Sequence, residues 1–74
     1  MIGDAHMNQD TFNMELRKFL KKVGISSQRE IENAVNNAVN SGALQGNEKL
    51  DAKVTVIIDM LGLNHEIRGI ISLE

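Results

Sequence analysis

The apolar residues of this chain change their period once, from about 3.6 to 2, which orders it as helix first and strand second. In the first half Phe12, Leu16, Phe19, Leu20 and Val23 recur at i, i+4, i+7, i+8 and i+11. At about 100° per residue these five share one stripe, and Arg17, Lys18, Lys21 and Lys22 fall on the other side. From Leu50 the pattern alternates, with Leu50, Ala52, Val54, Val56, Ile58 and Met60 set against Asp51, Lys53, Thr55, Ile57, Asp59 and Leu61. β-Branched residues dominate the centre of this run, which favours a strand.

Local signals divide the helical half in two. Asp10 suits an N-cap. Gly24 suits a left-handed position just past a helix end, with Ile25 folding back onto Leu20 as a Schellman ending requires. Ser27-x-x-Glu30 then matches a capping box that opens a second helix. The stripe of that helix is Ile31, Ala34, Val35, Ala38 and Val39, and its outer face carries Arg29, Glu32, Asn33, Asn36, Asn37 and Asn40. So many asparagines cost helix propensity, because each competes for backbone hydrogen bonds. Gly42 is the expected stop. "GLNH", Gly62 to His65, is the expected turn, after which Ile67, Gly69, Ile71 and Leu73 share one face. The predicted fold is therefore α+β in the order α-α-β-β: two N-terminal amphipathic helices followed by a C-terminal antiparallel hairpin. The expected core lies where the apolar face of the hairpin packs on both helical stripes.

With 74 residues the chain has room for one small domain. Domains of this size usually need a staple such as a disulfide, a metal or a partner subunit. There is no cysteine, so disulfides and thiolate metal sites are excluded and a reducing, cytoplasmic setting is expected. "His6-Met7" matches a translated cloning site, so residues 1–6 are expected to be a disordered vector-derived tail and residues 7–74 a single domain. His65 is then the only native histidine. The opening "MIGDAHMNQD" has no basic n-region or apolar h-region, and no apolar run approaches the roughly 18 residues of a membrane span.

Gly24-Ile25-Ser26, preceded by Val23, resembles the turn of a DNA-reading helix-turn-helix. Other positions depart from that pattern. Leu20 is bulky where the unit takes a small residue, four before the glycine. Glu30 and Asn33 stand six and nine after it, where apolar residues belong. Gln28, Arg29, Asn33 and Asn36 are suitable base readers in type, but Glu30 and Glu32 would enter the same phosphate-lined groove. A net charge of −2 and only two aromatic residues, Phe12 and Phe19, also argue against phosphate-backbone and single-strand binding.

Catalytic chemistry finds little support. Asp59, His65 and Glu66 cluster near the expected turn, yet no metal-ligand spacing such as H-x-x-x-H is present. No glycine-rich phosphate loop opens a helix after a strand. No enzymatic activity and no cofactor are expected. The candidate interaction surface is Arg17, Lys18, Lys21, Lys22, Arg29, Asn33 and Asn36. Residues 10–23 hold four cations and two acids, net +2, and residues 24–74 hold four cations and seven acids, net −3. Head-to-tail self-association by charge is compatible with that split.

From Asn8 to Glu74 the chain resembles a family of small, uncharacterised, mostly proteobacterial proteins of about 70 residues. "MNQDTFNMELRKFLKKVGISSQREIENAV", Met7 to Val35, and "LGLNHEIRGIISLE", Leu61 to Glu74, carry the resemblance. It implies a cytoplasmic bacterial α+β protein starting at Met7, with no activity or site to transfer.

A lone two-stranded hairpin is marginal in water and leaves two edges open. Ile57, Leu61 and Ile70 also fall on its nominally outward face. The expected function is a small non-enzymatic protein-interaction domain, with a homodimer or another protein as partner and the interface on the hairpin. The alternative is a nucleic-acid-associated regulator using the two helices as a helix-turn-helix-like pair.

Overall fold

A computed structural model of the chain describes residues 6–74, so residues 1–5 of the expected tail lie outside the described residues. The chain divides into two compact units, Met1–Asn36 and Asn37–Glu74. From Gln9 the first is helical; the second contains the last helical turn, a loop and a hairpin. The element order is one helix, α1 (Gln9–Asn40), a strand β1 (Lys49–Ile58), a short 3-10 turn (Asp59–Leu61) and a strand β2 (Leu63–Ser72).

The two expected helices are one. α1 runs 32 residues without interruption, about 48 Å at 1.5 Å per residue. Gly24 is therefore not a left-handed stop, and Ser27-x-x-Glu30 is not a capping box; both lie inside the helix. The reason is that neither signal is compulsory. Gly24 costs only about 1 kcal/mol relative to alanine inside a helix, and the chain contains no proline to force a break. Continuing the helix also keeps Val23, Ser27 and Ile31 in phase at i, i+4 and i+8, so the two stripes join. With no second helix, the helix-turn-helix-like pair is absent. The N-cap is Asn8 rather than Asp10: the Thr11 N–H donates to Asn8 Oδ1 at 3.0 Å and the Phe12 N–H to the Asn8 carbonyl at 2.9 Å. Asp10 instead lies in the first turn, where its charge complements the helix dipole.

α1 ends where expected. Gly42 takes a φ of 83°, a left-handed conformation that glycine adopts without a Cβ clash. The Leu44 N–H reaches back to the Ala38 carbonyl at 3.1 Å. The loop then closes on Glu48, whose carboxylate accepts the Gln45 N–H at 2.8 Å and the Gly46 N–H at 3.0 Å.

The hairpin is antiparallel, with Leu50 opposite Ile71, Ala52 opposite Gly69, Val54 opposite Ile67, Val56 opposite His65 and Ile58 opposite Leu63. One face is thus apolar except for His65, as the alternation predicts. The turn is Asp59–Gly62, not Gly62–His65. Gly62 closes it at a φ of 61°, donating its N–H to the Asp59 carbonyl at 3.1 Å. Leu63 to His65 consequently join β2. On the polar face Lys53 stands opposite Arg68, a like-charge pairing that costs stability. Glu66 offsets it by pairing with Lys53 at 3.8 Å and with Arg68.

The expected core is not formed within either unit. No described residue is buried, and the helical stripe stays open, from 41% exposed at Leu16 to 53% at Phe19. An amphipathic helix by itself, like a two-stranded sheet by itself, presents one apolar layer and encloses no core of its own.

Candidate interaction surface

All seven residues of the predicted interaction surface lie on α1 and are exposed. The uninterrupted helix changes their relation to one another. At 100° per residue Lys18, Lys22, Arg29, Asn33 and Asn36 fall within about 60° of one another. A row that was expected to be split between two helices is one row along one helix. Arg17 and Lys21 sit to one side of it. The four cations Arg17, Lys18, Lys21 and Lys22 occupy the N-terminal half, while Glu30 and Glu32 fall in the C-terminal half.

The apolar stripe is the larger feature. Phe12, Leu16, Phe19, Leu20 and Ile31 are between 41% and 53% exposed, whereas Val23, Ser27, Val35 and Ala38 are half-buried. A continuous apolar stripe this long is what a docking face requires in physical terms. Sequence reasoning treated Ser27 as a cap and so missed that it lies on the stripe. Its spacing of four from both Val23 and Ile31 was the available signal.

The hairpin offers less chemistry. His65 and Glu66 are consecutive in β2 and so point to opposite faces, and Asp59 sits in the turn. The expected cluster is therefore not brought together, and no group of three potential metal ligands occurs among the described residues. A depression of about 450 Å³ lies among Asp51, Ala52, Arg68, Gly69 and Ile70. It coincides with the small Ala52–Gly69 pair, which leaves side-chain space unfilled. The acidity of Glu48 is displaced: the N–H groups of Gln45 and then Gly46 stabilise its charged form and hold its pKa below the ordinary value. Those two bonds serve the loop rather than a ligand.

A sequence signature spanning this whole helix-and-hairpin arrangement is matched over residues 7–74. The chain belongs to the family of unknown function DUF6494. Membership covers α1 and both strands together, so the exposed stripe and the apolar hairpin face lie within the shared unit. No curated protein and no solved structure matches the chain. No helix is long and apolar enough to cross a membrane among the described residues.

Proposed function

We propose that this DUF6494 chain is a non-enzymatic protein-interaction domain that completes its fold only when its apolar stripe is covered, and that the cover is a second copy of the chain. One observation supports the reading above the rest: no described residue is buried, although Phe12, Leu16, Phe19, Leu20 and Ile31 line one face of a single helix. Burying a side chain of that size contributes about 1.5–3 kcal/mol, so leaving these five about half exposed forfeits part of what stabilises a domain this small. A cytoplasmic setting fits a sequence without cysteine.

The test is thermal unfolding followed by circular dichroism over about a hundredfold range of protein concentration. A self-associating fold melts at higher temperature as concentration rises, by mass action. A cooperative melt whose midpoint does not move with concentration would overturn the proposal.

A further inference from the structure

We infer that the N-terminal half of α1 docks in plane on an anionic lipid surface, its apolar stripe at the acyl boundary and its cations among the headgroups. The inference goes beyond the self-association reading, because a lipid surface would cover the same stripe that a second copy would. Leu16 to Val23 carries it. These residues read Leu-Arg-Lys-Phe-Leu-Lys-Lys-Val, so each is either apolar or cationic. No acid and no neutral polar side chain interrupts them.

The helix is continuous through this segment, so its cross-section follows from the sequence. Leu16, Phe19, Leu20 and Val23 fall within about 100° of one another, and Phe12 lies inside the same arc one turn earlier. The cations fill the opposite arc. Arg17 stands about 60° beyond Leu20 at one border of the stripe, and Lys22 about 60° beyond Phe19 at the other. Lys18 and Lys21 lie on the far side. An interfacial helix has this arrangement: Phe and Leu reach into the headgroup–acyl boundary, and the polar face is rich in Lys and Arg. The long stems of the bordering cations extend along apolar surface while the charge stays at headgroup level.

Charge complementarity selects the occupant. Among the described residues the ion pairs are Lys53–Glu66 and Arg68–Glu66, both in the hairpin, so none of the four helix cations is neutralised by a carboxylate there. Residues 10–23 are net +2 and residues 24–74 net −3, which makes attraction to an anionic surface local to this segment. The C-terminal half of α1 lacks the same character. Its stripe is Ile31, Ala34, Val35, Ala38 and Val39, and Glu30 and Glu32 outnumber Arg29. A nucleic acid would engage the cations and leave Phe12, Leu16, Phe19 and Leu20 in water. An anionic lipid surface takes both faces at once.

The test is flotation of the full chain with two kinds of vesicle, phosphatidylcholine alone and phosphatidylcholine mixed with phosphatidylglycerol, at low and high salt. The chain should float with the anionic vesicles at low salt, stay behind with the neutral ones, and be released as salt screens the surface. Each basic residue at an anionic surface contributes roughly fivefold, so the double variant Lys18→Gln/Lys21→Gln should lose about 25-fold in partitioning. Both positions are exposed and off the stripe, so the variant should melt like the wild-type chain. Failure to float with anionic vesicles, equal flotation with neutral ones, or flotation unchanged in the double variant would each overturn the inference.

The chain has no tryptophan, so Phe19→Trp places a single reporter on the stripe. At a concentration low enough to separate two copies, its emission should move to the blue when anionic vesicles are added. Binding to duplex DNA without a blue shift on vesicles would show that the cations read charge alone, and would overturn the docking. Self-association is read separately, from the concentration dependence of the melt without lipid. A chain that floats but melts at one temperature throughout would remove the second copy and keep the lipid surface. The reverse pair of results would remove the lipid surface and keep the second copy.

Discussion

Glu48 accepts two backbone N–H groups from the loop it closes, and its pKa is held below the ordinary 4.5 by those bonds. A carboxyl group whose folded pKa is depressed contributes stability that is present above the unfolded value. That contribution is lost as pH falls through the lower folded value. Glu48→Gln should therefore lower stability at neutral pH, and its difference from the wild-type chain should close as pH drops below 4.5. Chemical denaturation of both chains at several pH values measures that difference; a gap that persists in acid would mean the carboxylate does not hold the loop. Nothing about Glu48 alone marked it in the sequence. Its role depends on the left-handed Gly46, which has a φ of 102° and turns the loop so that two N–H groups converge. Asp10 taught a related point. Asn8, two residues earlier, is an equally good cap, and only the start of the helical hydrogen bonding separates them.

At the scale of elements, the change of period carried the α-then-β order, the stop at Gly42 and the two faces of the hairpin. The single helix was harder to read. Gly24-Ile25-Ser26-Ser27 contains good stop and start residues, each of which is tolerated inside a helix at modest cost. What decides between the two readings is continuity of the stripe through Val23, Ser27 and Ile31, a relation across the supposed break. The turn was misplaced for a similar reason. "GLNH" holds the obvious turn residues, but Gly62 serves as the left-handed end of a turn that began at Asp59. Gly24→Ala separates the one-helix account from the two-helix account. A methyl group there meets nothing within 4 Å, so the substitution should stabilise the protein by about 0.5–1 kcal/mol. Were Gly24 a left-handed helix stop, the same change would cost about 1–2 kcal/mol. Urea denaturation reads the sign directly.

For the whole molecule, the apolar positions were legible but the burial assigned to them was not. Alternation and helical spacing identify which side chains want to leave water, and say nothing of whether the covering layer comes from the same chain. Phe12, Leu16, Phe19 and Leu20 looked like core residues and are exposed. The candidate cations Arg17, Lys18, Lys21 and Lys22 are exposed on α1 as well. Burial by hydrophobic contact predicts an association that resists salt. The most direct measurement is sedimentation equilibrium of the full chain in low and high salt. The account predicts a mass of twice 8.2 kDa, about 16.4 kDa, in both. A folded species of 8.2 kDa at every concentration would contradict it.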